Sequence, residues 1–320
     1  RAGQRVMERI EEEFGSVEDL GVSIFLGRGN NAGDGLVVAR LLLERNAKVI
    51  LNYMNEPKDL SPDAFKNYAR LSGFRKKRRI MERFLFLSDW EEKVARELGE
   101  CDLVIDALLG TGISKPVREH LARVVGLVNG CVVPVLSIDV PSGVNADTGE
   151  VMGHAVRASM TVTLGLPKMG LLFHPGRAHA GSLSVGDIGI PAEVIEERFQ
   201  LHKLDADRAR EDLPAGDPTD HKFARGSLLL VAGRRRYAGA ARLAAESALR
   251  TGCGIVYLAG PESIRIPVQA AAPEILFLSL PETAEATIAG GDEDLIPGDL
   301  KYDALAVGPG LYNDEGSVRL

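Results

Sequence analysis

The segment Gly27-Arg28-Gly29-Asn30-Asn31-Ala32-Gly33-Asp34-Gly35 constrains this chain more than any other stretch. It joins a mainly apolar run at 22–27, read as a buried strand, to an amphipathic run at 36–46. A short apolar strand, a glycine-rich turn and a helix, in that order, open a parallel α/β sheet. Glycines at such a turn admit positive φ and let a ligand approach the backbone, and the helix N-terminus beyond them favours an anion. The spacing is GxGxxxG with two asparagines and an aspartate set in, not the plain GxGxxG of a dinucleotide fingerprint. An aspartate there suits a ligand hydroxyl or a shared cation better than a bare pyrophosphate. The competing reading is a tight asparagine turn in which Asp34 caps the helix.

The alternation continues along the chain. Residues 5–14 read as an opening helix, with Val6, Ile10 and Phe14 on one face. Strands are expected over 22–27, 49–54, 103–109, 132–139 and 160–166, with a closing strand within 181–191. Helices are expected over 36–46, 90–98 and 116–128. From 202 to 222 the chain turns polar and rich in aspartate, with Pro214 and Pro218, the composition of a linker. A second α/β unit then starts, with a strand over 227–232, an alanine-rich helix over 239–251 and a strand over 255–258. At 320 residues two domains are the natural expectation. They are a Rossmann-like parallel sheet with helices on both faces over 1–205, a linker over 206–222, and an incomplete α/β domain over 223–320.

Two more strand ends carry chemistry: Asp106-Ala107-Leu108-Leu109-Gly110-Thr111-Gly112 and Ser137-Ile138-Asp139-Val140-Pro141-Ser142-Gly143. Ligands of open parallel sheets bind outside the carboxyl ends of the strands, at the switch point of strand order. Convergence of Asn31, Asp106, Asp139 and Ser142 there would supply oxygen ligands and an acid–base carboxylate.

The net charge of −7 argues against a general nucleic-acid binder. The run Arg75-Lys76-Lys77-Arg78-Arg79 reads as a solvated surface. Arg234-Arg235-Arg236 is either a phosphate holder or an exposed loop. The three cysteines are far apart and form no CxxC, and the six histidines form no HExxH. No apolar run reaches the ~18 residues of a membrane helix, so no membrane partner is expected. The cytoplasm is the default compartment, although a chain beginning at Arg1 would hide any removed leader. No GxSxG and no GxxxxGK[ST] is present, which disfavours a serine hydrolase and a P-loop NTPase.

The motifs GRGNNAGDGLVVARLL, DLVIDALLGTG and SIDVPSGVNADTG, followed by LGLPKMGLLFHPGRAHAGSLSVGDIGIP, resemble the NAD(P)H-hydrate epimerase family (the YjeF N-terminal domain) in order and spacing. The resemblance covers roughly residues 1 to 200. It implies interconversion of the R and S epimers of NADHX and NADPHX, cofactors carrying water on the nicotinamide ring. It further implies substrate contacts from Asn30, Asn31, Ala32, Gly33 and Asp34, and from Gly110, Thr111, Gly112, Ile113, Ser114, Lys115 and Pro116. Asp139 is implied as the substrate-binding and catalytic carboxylate, and Asn31, Asp106 and Ser142 as ligands of a potassium ion (K+). Ala32 departs from the glycine usual in the family, and its methyl is expected to crowd the substrate slightly. Lys168 is a candidate neighbour of the site or a surface lysine after a strand.

The stretch from His221 on, with Gly233, Tyr237-Ala238-Gly239-Ala240 and Val307-Gly308-Pro309-Gly310-Leu311, is similar to the start of the ADP- or ATP-dependent NAD(P)H-hydrate dehydratase family. That resemblance implies a ribokinase-like fold, contacts to the hydrated cofactor from Ala240 and Gly310, and use of ADP or ATP. The family's GTGD segment, which carries its nucleotide contact and catalytic aspartate, is absent from the sequence. Together the two halves have the arrangement of a bifunctional NAD(P)H-hydrate repair enzyme, acting on a small molecule, with monomer and homo-oligomer both open. Two rivals remain. A Rossmann dehydrogenase would want an acid at the end of the second strand, where the first acid is Glu56, after a turn. A non-catalytic dinucleotide-binding or scaffold protein would not need the full set Asn31, Asp106, Asp139 and Ser142.

Overall fold

The computed structural model describes residues 1–75, 79–87, 89–198, 201–213, 216–217, 219–290 and 295–312. The middle of the basic run at 75–79, and Pro214 and Pro218 of the expected linker, lie outside the described residues. The chain forms two compact units, Arg1–Gln200 and Leu201–Leu320.

The first unit is a doubly wound sheet. Its elements are α1 (Ala2–Phe14), β1 (Gly21–Leu26), α2 (Asn30–Glu44), β2 (Lys48–Tyr53), α3 (Pro62–Arg70), β3 (Ile80–Phe84) and α4 (Trp90–Leu98). They continue with β4 (Leu103–Ala107), α5 (Glu119–Gly130), β5 (Val135–Ile138), β6 (Met160–Leu164), α6 (Arg177–Ala180), β7 (Ser182–Gly186) and α7 (Ala192–Arg198). The strands are all parallel, in the order β3-β2-β1-β4-β5-β6-β7. Strand alternation divides the core between two faces. Ile24, Leu26, Leu103, Ile105 and Ala107 pack with Val6, Ile10, Leu36 and Leu42 of α1 and α2. Phe25 and Val104 pack on the opposite face with Val94 and Leu98 of α4 and Val124 and Val128 of α5. Helices therefore cover both faces, as expected for buried parallel strands.

Several local expectations change. Helix α2 starts at Asn30, so much of the glycine-rich segment is helical rather than loop. None of Gly27, Gly29, Gly33 and Gly35 has positive φ. Close packing is what requires glycine there: a Cβ on Gly27 would sit 1.9 Å from the Leu108 carbonyl oxygen, and one on Gly35 would sit 2.7 Å from the Ala107 Cβ. Strand β5 is only Val135–Ile138, because Pro134 lacks the amide that would extend the ladder and Val132 is exposed. The sequence reading missed α3 and β3, although Ser61 before Pro62 is a helix-start signal and its hydroxyl does cap the helix, accepting from the Ala64 amide. The stretch read as linker carries a helix, α8 (Ala206–Asp212), capped by the Asp205 side chain.

The second unit continues with β8 (Ser227–Val231), α9 (Ala238–Arg250), β9 (Ile255–Pro261), α10 (Arg265–Gln269), β10 (Leu276–Leu280) and β11 (Ala304–Val307). These strands are also all parallel, in the order β10-β9-β8-β11. Leu230, Val256 and Leu258 bury one face beneath Ala241 and Ala245 of α9 and Val268 of α10. Among the described residues no helix is long and apolar enough to cross a membrane.

Candidate active site at the carboxyl edge of the first sheet

Strand order reverses between β1 and β4, the switch point outside whose carboxyl ends open parallel sheets take their ligands. Asp106 lies in β4, fully buried, and its carboxylate is the hub of the edge. Oδ2 accepts from the Ser137 hydroxyl and the Ser142 amide, each at 2.8 Å. Oδ1 accepts from the Ser142 hydroxyl at 2.5 Å and the Leu108 amide at 3.2 Å. Burial pushes the Asp106 pKa up, and these hydrogen bonds oppose that rise. The Ser142 Oγ also accepts from the Leu109 amide at 2.8 Å.

Asn31 comes to the same spot from the first turn of α2. Its Nδ2 donates to the Leu109 carbonyl at 2.7 Å, while its buried Oδ1 has no partner. Such orphaned acceptors are rare in native interiors. Asn31, Asp106, Ser142 and the Leu109 carbonyl thus form an oxygen-lined cluster around a buried, hydrogen-bonded carboxylate that no Lys, Arg or His pairs with among the described residues. That donor set fits a hard, weakly charged cation.

Asp139 follows β5 with φ of 68°, a left-handed conformation that is costly for a non-glycine residue. Its amide donates to the Val162 carbonyl at 2.8 Å. Its Oδ1 accepts from Lys168 Nζ at 2.6 Å, the Leu164 amide at 3.1 Å and the Thr163 hydroxyl at 3.5 Å. Lys168 Nζ also donates to the Leu164 carbonyl at 2.6 Å. The two charged side chains are only 18% and 16% exposed, so their pairing is screened weakly. Among the described residues no hydrogen bond reaches Oδ2 of Asp139, which leaves one oxygen of a fixed carboxylate for a ligand.

Asp34, in α2, feels that charge. Burial first, and the negative charge of Asp139 second, push its carboxyl up to about 6. It lies inside the helix and does not cap it: the N-cap is Gly29, with no side-chain cap. The first amides of α2 are therefore free of side-chain capping partners at this edge. Around Gly29 a Cβ would meet nothing within 4 Å, so a ligand has room to approach.

The structure brings together Asn31, Asp106 and Ser142, and joins Lys168 to Asp139. It sets Gly110 beside Asn31, where an added Cβ would lie 3.6 Å from the asparagine Cβ. Asn30 accepts from the Ser61 hydroxyl at 3.0 Å. Thr111, Gly112, Ser114, Lys115 and Pro116 lie in an exposed loop with the half-buried Ile113, followed by a Val117 amide bond to the Met152 carbonyl at 2.8 Å. The Ala32 methyl is completely buried in the core, so the expected crowding of a ligand is not what its placement produces. Ala240 and Gly310 belong to the second unit. The sequence reading missed Ser137, the Leu109 carbonyl and the Leu164 amide. Ser137 alone left a trace, as a polar residue inside an apolar strand; the main-chain groups carry no side-chain signal.

These features define a doubly wound α/β protein with an oxygen-lined cluster of side chains at its switch point. A family model described as YjeF-related protein N-terminus matches residues 1–170, and the chain belongs to that family. A model described as NAD(P)H-hydrate dehydratase matches residues 228–320. Curated relatives named bifunctional NAD(P)H-hydrate repair enzyme Nnr include those of Moorella thermoacetica and Salinibacter ruber, each 37% identical and covering 100% and 99% of this chain. That of Thermofilum pendens is 38% identical over 94% of this chain. The chain spans 60%, 60% and 56% of the lengths of these relatives. The crystal structure of yeast ynu0 shares the fold, with a TM-score of 0.50, 23% identity, and coverage of 65% of this chain and 86% of that one.

Proposed function

We propose that the first unit is an epimerase of hydrated nicotinamide dinucleotides, interconverting the R and S forms of NADHX and NADPHX. The observation that carries this reading is Asp139: a carboxylate fixed through one oxygen, with the other open, at the edge where α2 presents its N-terminus. Inverting the hydrated carbon requires one of its bonds to break and re-form on the other face. As a base takes the hydroxyl proton, the C–O becomes a carbonyl and the ring C–N bond opens with a proton delivered to nitrogen. The reverse steps close the ring on the opposite face, so one carboxylate that takes and returns a proton can serve both directions. In this reading Asp139 Oδ2 exchanges that proton. Lys168 is a positioning residue that holds Oδ1. Amides at the start of α2 and the loop Gly110–Pro116 orient the dinucleotide. Asp34, whose carboxyl is raised to about 6, lies in the same helix close enough to feel the charge of Asp139.

Asn31, Asp106 and Ser142 would hold a potassium ion, whose contribution is to draw the three strand-end loops into one arrangement. The second unit is the start of a nucleotide-dependent dehydratase of the S epimer, with Ala240 and Gly310 at its hydrated-cofactor site and ADP or ATP as the nucleotide. A small-molecule substrate, a cytoplasmic setting and either a monomer or a homo-oligomer are consistent with this role.

The test is epimerisation of R-NADPHX by the purified chain, with and without potassium, followed by chromatographic separation of the epimers. Rapid equilibration that Asp139→Ala abolishes supports the reading. Equilibration at the same rate in Asp139→Ala rejects it, and no acceleration by a folded wild-type chain favours a binding role.

A further inference from the structure

The basic triplet Arg234-Arg235-Arg236 is not uniform. Arg235 and Arg236 are exposed, whereas Arg234 is half-buried directly after the carboxyl end of β8. Its guanidinium carbon lies 4.6 Å from the centre of the Tyr237 ring and 4.5 Å from that of Tyr312. Stacking against aromatic faces occupies the flat surfaces of a guanidinium and leaves its in-plane N–H groups for acceptors. Among the described residues none provides one: no hydrogen bond or ion pair involves the Arg234 side chain, and its Nε is buried without a partner. A buried unpaired donor on a charged group is costly, and an incoming oxyanion would relieve it.

The surrounding backbone puts this cation at the switch point of the second sheet. Strand order turns between β8 and β11, and the loops leaving them are tied by the Gly233 amide, which donates to the Pro309 carbonyl at 2.9 Å. Gly310 follows in a left-handed conformation, φ 82°, so close that an added Cβ would stand 2.8 Å from the Tyr237 Cβ. Tyr237 is also the N-cap residue of α9, which has no side-chain cap. The guanidinium and the first amides of a 13-residue helix therefore adjoin at the edge where parallel sheets take their ligands.

We propose that Arg234, held between Tyr237 and Tyr312, binds a phosphate group of the ligand of the second unit. The choice of phosphate rests on the reading of that unit as a site for hydrated dinucleotide and nucleotide. Phosphates of a dinucleotide and of a free adenine nucleotide share the chemistry, a doubly accepting oxyanion that a guanidinium edge meets with paired N–H groups.

Calorimetric titration of the whole chain with inorganic diphosphate, ADP and NADPH at low salt tests this. Arg234→Ala is expected to weaken diphosphate and at least one nucleotide roughly tenfold or more. Arg235→Ala, which removes an unstacked charge, is expected to change them less than twofold. Arg234→Lys keeps the charge without the planar donor pair and should remain weak. Tyr312→Leu, which removes one ring and leaves the arginine, should weaken binding in the same direction and serves if Arg234→Ala does not fold. Loss confined to NADPH assigns the phosphate to the dinucleotide, and loss confined to ADP assigns it to the nucleotide. Equal losses in Arg234→Ala and Arg235→Ala, full rescue by lysine, or unchanged affinities in Arg234→Ala would overturn the proposal. If epimerisation fails while Arg234-dependent diphosphate binding persists, the reading of the first unit falls and this one stands.

Discussion

The two parallel sheets of this chain meet the same topological rule with opposite chemistry. The carboxyl edge of the first sheet is acidic and rich in oxygen, with Asp106 and Asp139 each fixed by several donors. The edge of the second presents an arginine between two tyrosines. Gly27 and Gly35 of the first edge have ordinary φ and are glycine for lack of space, whereas Gly143 beside Ser142, and Gly233 and Gly310 in the second edge, need left-handed backbone too. One topology therefore fixes where a ligand sits and leaves the charge it meets to a few residues at strand ends.

The largest expected effect would break the comparison at its functional end. Asp139→Asn should lower the epimerisation rate about 100- to 10,000-fold, the usual range for loss of a general acid–base group. Lys168→Gln should cost less, because it frees Oδ1 rather than removing the base. A rate for Asp139→Asn within threefold of wild type would leave the first edge as a binding surface only.

Next in size are the glycines. Gly35→Ala is expected to destabilise the first unit by about 1–3 kcal/mol through overpacking against Ala107 and Leu26. A compensating Ala107→Gly should recover part of that loss. Gly310→Ala should destabilise by a similar amount, with about 1–2 kcal/mol from the left-handed backbone, which no trimming of neighbours can recover. Urea denaturation of the single and double variants separates the two causes.

Asp34 gives a subtler contrast within the first edge, between a carboxyl that burial makes expensive to ionise and an Asp139 that Lys168 pairs. Its folded pKa is raised to about 6, above the unfolded value, so its contribution to stability is full at acid pH and is lost as pH rises towards and past 6. Asp34→Asn should therefore stabilise the first unit at pH 7 by roughly 2 kcal/mol, a gain that vanishes on lowering the pH towards 4. Stability measured against pH for both proteins checks the sign. An advantage that is flat with pH would mean Asp34 titrates normally.

The smallest expected effect is that of the ion. Potassium at millimolar excess should raise the melting temperature of the first unit by about 2–4 °C, equivalent to roughly 1 kcal/mol, and leave the second unit unchanged. Ser142→Ala should abolish that increment. An equal response of both units would point to general ionic strength instead.

Much of this was legible in the chain. The apolar runs predict β1, β2, β4 and β6 because a strand buried on both faces is dominated by apolar residues, and α4 falls at 90–98 as its periodicity requires. The motifs named Asp139, Asp106, Asn31 and Ser142 because their residue types are unusual at strand ends. The sequence left Lys168 undecided between site and surface, and the structure joins it to Asp139 across 29 residues. Strand β3 escaped notice because Ile80–Phe84 is an edge strand interrupted by charge, Glu82 and Arg83, and edge strands need no continuous apolar run.

The sequence by itself determined the class of fold, the strand ends that carry chemistry and the family, since these rest on local pattern and residue type. Only the tertiary structure decided that the glycines at 27 and 35 answer to crowding rather than to φ, that the Ala32 methyl points into the core, and that among the described residues Arg234 alone of its triplet lies over aromatic rings. Each of those depends on atoms brought close from distant parts of the chain, and spacing along a sequence holds no record of that distance.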